Sequence, residues 1–535
     1  MKKQLFFLLL LFSITQLTAQ TKYWVFFKEK GKLSQPSLSW AAIENRTNQG
    51  IALDERDFPV NSLYLQQLQT QKIKPIRISR WLNGVSASLT PSQIEYLKKC
   101  DFVRQISPVA TLITTQKDEI VQKMDSLDRY GWQLEMIGAD KLHQKGFTGK
   151  GVKVALFDDG FVRADTLRGF QHIFKENRLL YTYDFVDNDK NVFEDCPVGN
   201  PCKHGSWTWS IISGRIENQL LGSAPDADYM LFRTEKDESE TTQEEDNWVV
   251  AAEVADSLGA QVFSTSLGYS TFDVLSTSYT QAQLDGNTSI ITKAADIAAS
   301  KGIIVVNSAG NEGAHPWRKV LMPADGDSVL AVGSVNKLKV ASSFSSHGPS
   351  ADGRVKPDVM AIGERTFLQE INGQVTAGYG TSFSAPLMAG MMVCLRQAVP
   401  NVNGYKLCQA VIRSADRYAN PDTVYGYGIP NGFNAYLGLL LANVGNSENP
   451  FYCVNNPSSH NIYAAFINEG ADFEGVLNMI DLSGRSIFET KVKANKGENI
   501  FPIELAGNYG QGIYIIRLYS ESDAKRKYQT KVIVK

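Results

Sequence analysis

Between about residues 131 and 442 the chain repeats one pattern, a short run of Val, Ile, Ala and Leu followed by a segment with helical spacing. The runs KVALF, DYMLF, QVFSTSL, GIIVVNSAG and SVLAVGSV read as strands, and DNWVVAAEVADSLG, ITKAADIAASKG and SAPLMAGMMVCLRQAV as helices. Strands that are apolar throughout, rather than alternating, have both faces buried. The pattern therefore predicts an α/β domain, a mainly parallel sheet between two layers of helices. In such a sheet, functional side chains are expected where strands give way to loops at their carboxyl ends.

The flanking sections follow other patterns. Residues 1–20, MKKQLFFLLLLFSITQLTAQ, have a two-lysine start, an apolar stretch from Leu5 to Phe12 and a small-residue end, which reads as a secretory signal too short to span a bilayer. Residues 21–118 read as a small α+β module: a strand at KYWVFFKEK, a helix at SLYLQQLQTQ, extended chain at IRISRWLNGVSASL, a helix capped by Ser92, and a strand at FVRQISPVATL. The polar QKDEIVQKMDSLDRYG that follows is where a linker or a cleavage is expected. The α/β section is assigned to 131–445, and 455–535 to a small antiparallel β-sandwich with strands at VLNMIDLSG, RSIFETKVK, NIFPIELAG, GIYIIRLYS and YQTKVIVK. A formal net charge of -2 gives no electrostatic footprint for nucleic acid or anionic membrane. No later run is long and apolar enough to span a membrane, so no transmembrane segment is expected once the signal is removed.

Export permits disulfides, and six cysteines need sorting. Cys196 and Cys202 bracket CPVGNPC, a short loop that a disulfide would close; a three-ligand metal site with His204 is the alternative. Cys394 and Cys408 either pair or are buried thiols, and Cys100 and Cys453 read as unpaired.

Four polar residues carry chemistry. GYGTSFSAPLMAG places Ser382 after a Gly-rich turn at the start of a helix, with Pro386 in its first turn, where free backbone donors and the helix dipole favour developing negative charge. A serine nucleophile requires a base, and of the six histidines only His204, in KHGSWTWSIISG, opens a helix whose small residues permit close packing. The base requires a carboxylate to fix its tautomer, and VALFDD supplies one at a strand's carboxyl end. GIIVVNSAGNEG adds Asn311, again just past a buried strand. Each signal alone has an ordinary reading, a cap or a loop start; their joint occurrence in one sheet does not.

These motifs resemble the subtilisin-like serine proteases. FDDG resembles the family's aspartate motif, HGS its histidine motif, GTSFSAP its serine motif and NSAGNEG its oxyanion segment, in the family's Asp, His, Ser order. STSLG, FSSHGPSADGRVKPDVMAIG and GYGIPNGFNA are secondary matches. The resemblance implies a subtilisin-like three-layer fold in which Ser382 attacks the scissile carbonyl, His204 shuttles its proton, Asp158 orients His204 and Asn311 binds the oxyanion. It also implies that Ser266, Leu267 and Gly268 form an edge for an extended substrate, with Ala309 and Gly310 as further substrate contacts. The chemistry requires no cofactor. The family often binds structural calcium, and DFVDNDKNVFED offers Asp184, Asp187, Asp189, Glu194 and Asp195 as oxygen ligands, although a solvated acidic loop is the alternative. The acidic EKDESETTQEED is expected on the surface.

Residues 21–118 resemble a subtilisin-type propeptide, which implies a zymogen with its own propeptide as first partner and protein or peptide substrates afterwards. Residues 455–535 resemble the type IX secretion sorting domain, which implies that machinery as a partner and a secreted or cell-surface destination. Two departures stand out: Asp159 where the family commonly has Ser or Thr, and Leu387 after Pro386 where it often has His. Of the doublet, Asp158 is assigned to His204 because it directly ends the apolar run, with Asp159 expected on the opposite side of an extended chain. Leu321 aligns with the floor of the primary specificity pocket and implies a shallow one. A binding protein on a protease scaffold would lack an intact constellation, and a lipase would show G-x-S-x-G around its serine.

Overall fold

The computed structural model describes residues 21–32, 35–109, 120–123, 131–194, 202–235, 242–270, 279–442, 450–454, 462–468, 470–503, 510–523 and 525–534. The proposed signal, Cys196, Asp195 and most of the polar segment after the first module lie outside the described residues. The chain divides into two units, Met1–Gly432 and Phe433–Lys535.

The first unit opens with the α+β module: β1 (Thr21–Phe27), α1 (Trp40–Asn48), α2 (Ser62–Thr70), β2 (Arg77–Ser79), β3 (Gly84–Leu89), α3 (Pro91–Leu97) and β4 (Val103–Val109). Its antiparallel sheet has the order β2-β3-β1-β4. The cap of α3 is Thr90, not Ser92: Thr90 and Gln93 form a reciprocal capping box with Pro91 as the first helical residue. Short β5 (Ile120–Lys123) follows.

Next come α4 (Trp132–Met136), α5 (Ala139–Gln144), β6 (Lys153–Asp158), α6 (Gln171–Lys175), β7 (Leu179–Asp184), α7 (His204–Ser213), the small ribbon β8 (Arg215–Ile216) and β9 (Leu220–Leu221), β10 (Asp228–Arg233) and α8 (Thr242–Ser257). The unit continues with β11 (Val262–Thr265), α9 (Ile290–Ser300), β12 (Ile304–Ser308), β13 (Val329–Val335), β14 (Val359–Ile362), the hairpin β15 (Glu364–Gln369) and β16 (Val375–Tyr379), α10 (Thr381–Ala398) and α11 (Gly404–Arg413). A seven-stranded parallel sheet has the order β14-β13-β12-β11-β6-β10-β7. Its central strands are buried along nearly their whole length, as apolar runs without alternation require. The pattern missed β7, an edge strand with polar alternation, and the four-residue β14. Antiparallel to β16 lies β5, with Ile120 opposite Tyr379.

The α+β module packs on α8 with both apolar and charged groups. Trp24, Trp81 and Val109 share a core cluster with Phe157, Trp248 and Phe263. Asp246, Glu253 and Asp256 recur at helical spacing on α8 and face the module. Trp24 Nε1 donates to Asp246 Oδ1 at 2.6 Å, and Lys22 pairs with the same carboxylate. Arg46 Nη2 lies 2.9 Å from both Asp57 and Asp256, Arg80 Nη2 lies 2.6 Å from Asp256, and Lys301 Nζ reaches Asp54 and Asp57 at 2.7 and 3.0 Å. Glu253 accepts from Ser79 Oγ and from the backbone N–H groups of Arg80 and Trp81. Burial pushes the Glu253 carboxyl up, against the pull of Arg80 and these hydrogen bonds. Glu244, Glu245 and Asp246, expected on the surface, are buried in the first turns of α8, Asp246 against Trp24 and Lys22 of the module and Glu245 against Tyr279.

The second unit holds α12 (Gly432–Ala442, from Phe433 onward) and two antiparallel sheets. One has β17 (Phe451–Val454), β18 (Ile462–Asn468) and β21 (Gly497–Ile503); the other has β19 (Phe473–Asp481), β20 (Ser486–Ala494), β22 (Gly512–Tyr519) and β23 (Lys527–Val534). Residues from both sheets, among them Phe451, Phe466, Leu477, Met479 and Ile516, form one core, so the unit is a sandwich. It begins at Phe433 rather than at 455, since α12 packs through Phe433 and Leu437 on Tyr452 and Tyr463, and β17 precedes the expected boundary.

Glu253→Ala leaves three buried donors of the module without an acceptor, at about 1–3 kcal/mol each. Calorimetry of the uncut chain is expected to show a midpoint several degrees lower, with Glu253→Gln, which keeps one acceptor oxygen, intermediate. An unchanged midpoint in Glu253→Ala would remove this carboxylate from the docking account.

Candidate active site

The carboxyl end of β6 delivers Asp158 into the interior, 4% exposed. Its Oδ1 accepts from His204 Nδ1–H at 2.5 Å and from the Asp159 N–H at 2.9 Å, and its Oδ2 accepts from Thr208 Oγ1 at 3.0 Å. Thr208 stands four residues after His204 on α7, on the same helical face. The sequence reading missed it, although the i, i+4 spacing was there to be used. Gly205 is required by proximity: a Cβ there would meet the Gly160 carbonyl oxygen at 2.2 Å and Asp158 Cβ at 2.9 Å.

Asp159 does not point away from this group. The strand ends at Asp158 and the chain turns, so Asp159 Oδ1 accepts from the Gly205 N–H at 3.0 Å and Oδ2 from the His204 N–H at 3.4 Å. Among the described residues, Asp158, Asp159 and His204 form the group whose ligand-type atoms lie within 4.8 Å of one another. Two of the three already hold α7 and its first side chain.

Ser382, 4% exposed, is the second residue of α10. Pro386 is the sixth residue of that helix, not part of its first turn. Pro has no N–H to bond the carbonyl four residues back, which is that of Ser382. Ser266 Oγ supplies the missing donor, reaching the Ser382 carbonyl at 2.9 Å, while Ser382 Oγ donates to the Ser266 carbonyl at 3.4 Å. Ser266 thus ties β11 to the serine turn. The His204 ring stands 6.0 Å, centroid to centroid, from that of Phe383, which brings the α7 start and the α10 start together.

Asn311 follows β12, and its Oδ1 accepts from both the N–H and Oγ1 of Thr381, each at 2.9 Å. That fixes the amide with Nδ2 as its remaining donor. Thr381, a second residue the sequence reading missed, also accepts from the Gly310 N–H at 3.2 Å. Leu267 turns into the core, with its carbonyl taken by Asn307 at 3.0 Å and Ser308 at 3.4 Å. Ala309 is buried. Leu321 lies across the crevice between the ends of β11 and β12: a Cβ on either Gly268 or Gly310 would stand 2.6 Å from its side chain.

The other candidates separate from this centre. Asp184 and Asp187 each pair with Arg233 at 2.8 Å, Asp184 Oδ1 also accepts from the Val186 and Asp187 N–H groups, and Asp189 accepts from the Asn191 N–H. Glu194 bonds Asn191. Cys202 is disulfide-bonded; Cys100, Cys394, Cys408 and Cys453 are thiols outside any disulfide, and burial pushes the Cys408 thiol up to about 12.

Comparison with known proteins agrees with this geometry. The model of the subtilase family matches residues 149–428, and that of the peptidase S8 propeptide domain of Bacteroidota matches residues 22–123. The subtilisin-like protease SBT6.1 of Arabidopsis thaliana is 30% identical over 303 residues, 54% of this chain and 26% of that protein. The serine protease AprX of Bacillus subtilis is 24% identical over 430 residues, 74% of this chain and 89% of that protein. Subtilisin E of the same species is 27% identical over 356 residues, 66% and 80% of the two chains. The chain spans about a quarter of the first of these relatives and most of the other two. With the Asp158 and His204 pair at the end of a parallel sheet, the serine at a helix start, and a family model covering more than half its length, the chain belongs to the subtilase family, with a propeptide domain of the Bacteroidota type.

Proposed function

We propose that the protein is a secreted serine endopeptidase made as a zymogen. The observation that carries this is the 2.5 Å bond from His204 Nδ1 to Asp158, with the imidazole set beside the turn that bears Ser382. Accepting at Nδ1–H, Asp158 leaves Nε2 as the basic nitrogen. His204 Nε2 takes the Ser382 proton as Oγ attacks the peptide carbonyl, and Asp158 stabilises the resulting imidazolium. The oxyanion is bound by Asn311 Nδ2 and the Ser382 N–H, donors already fixed before charge develops. His204 then gives the proton to the leaving amine, and water repeats the sequence on the acyl-enzyme.

Export is supported by the signal-like residues 1–20, and no described helix is long and apolar enough to cross a membrane. A role for the C-terminal unit in type IX sorting rests on NPSSHNI, VLNMIDLSGRSI, GIYIIRL and the ending KVIVK. Calcium in the acidic loop would have to compete with Arg233 for Asp184 and Asp187.

The zymogen reading is tested by Ser382→Ala. The variant is expected to fold and to stay full length, where the wild-type chain is cut within the polar segment at residues 116–131 and then cleaves casein. Processing of Ser382→Ala alone at the wild-type rate would contradict self-cleavage. Asn311→Ala is expected to lower kcat by about 10²–10³, a magnitude taken from subtilisin rather than derived from this chain.

The primary pocket is proposed to be shallow, because the Leu321 side chain already occupies the space between Gly268 and Gly310. A peptide library is expected to be cut after small residues, with Leu321→Gly raising kcat/KM for Phe at P1 by about tenfold or more. Wild-type cleavage mostly after Phe or Tyr would contradict this.

A further inference from the structure

The sequence places two carboxylates where the triad uses one. Asp159 is 8% exposed, and a carboxylate is rarely buried without a use. Its two oxygens receive the backbone N–H groups of His204 and Gly205, the first two residues of α7. A helix begins with N–H groups that have no partner within it, and here Lys203, at the capping position, makes no side-chain cap. The cap comes instead from the strand that also supplies the triad carboxylate. One dipeptide therefore holds His204 twice, Asp158 by its ring and Asp159 by its backbone.

The same group acts on charge. An Asp159 oxygen lies within 4.8 Å of a His204 ring nitrogen, so the imidazolium formed when His204 takes the serine proton faces two carboxylates. The neutral imidazole of the ground state gains little from the second, which makes its contribution selective for the charged state. The other charged groups nearby are engaged elsewhere. Arg233 Nε donates to the Asp159 carbonyl at 2.8 Å while its Nη1 pairs with Asp184 and Asp187; the Lys203 ammonium lies 4.6 Å over the Trp207 ring; Glu235 accepts from Tyr269 at 2.6 Å. A serine at this place has one oxygen and shorter reach, so it cannot span both N–H groups.

We propose that Asp159 is a positioning residue for the general base, capping the His204 helix and supplying a second negative charge to its imidazolium; this rests on the protease reading above. Asp159→Asn keeps one acceptor and removes the charge, whereas Asp159→Ala removes both. In the processed enzyme, Asp159→Asn is expected to lower kcat roughly tenfold with KM unchanged, and to move the acid limb of the kcat/KM profile down by about half to one pH unit. Asp159→Ala is expected to lower kcat further, and should it fail to fold, the asparagine variant carries the test. In a Ser382→Ala background, which cannot turn over, NMR titration of His204 is expected to show the same downward shift in Asp159→Asn. Superimposable titrations and pH profiles would overturn the proposal, as would a loss confined to KM, which would make Asp159 a substrate contact. An inert wild-type enzyme would sink the protease reading while leaving the titration to decide the role of Asp159.

Discussion

A single hydrogen bond, from the imidazole that opens one helix to the carboxylate that ends one strand, sets the terms for the rest of this structure. For His204 Nδ1 to reach Asp158 at 2.5 Å, α7 must press against the end of β6 closely enough that Gly205 has no room for a side chain. The helix start must be capped from outside, which Asp159 does, and the carboxylate must be held from its other side, which Thr208 does. The serine turn follows the same logic. Pro386 deprives the Ser382 carbonyl of its helical donor, and Ser266 replaces it, so the backbone at Ser382 is tied to the adjacent strand.

The propeptide rests on the same sheet through different physics. Trp24 and Trp81 enter the core that backs the central strands, while Arg46, Arg80 and Lys301 meet Asp57, Glu253 and Asp256 out of water. Desolvated charges repay their cost only with complete partners. That demand selects one seating of the propeptide, whereas the apolar contacts alone would tolerate several. Removing the module exposes the acidic face of α8 to solvent, where its carboxylates regain hydration.

The parallel sheet and the pairing of Asp158 with His204 were legible because both leave local marks: apolar runs without alternation, and small polar motifs at their ends. What was missed is non-local. Thr381 and Thr208 matter through partners far along the chain, and Asp246 is covered by Trp24 and Lys22 of a module more than two hundred residues earlier in the sequence. A run of acids on a helix reads as solvated until the surface covering it is known. The doublet failed for a geometric reason: alternation predicts opposite faces within a strand, and the strand stops between the two residues.

The central claim is that His204, oriented by Asp158, activates Ser382. Treating the folded, processed chain with a fluorophosphonate and locating the adduct by mass spectrometry tests it directly. The account predicts one adduct, on Ser382, that His204→Ala abolishes or slows by orders of magnitude. No adduct on the wild-type serine, or one that forms equally fast without the histidine, would contradict it.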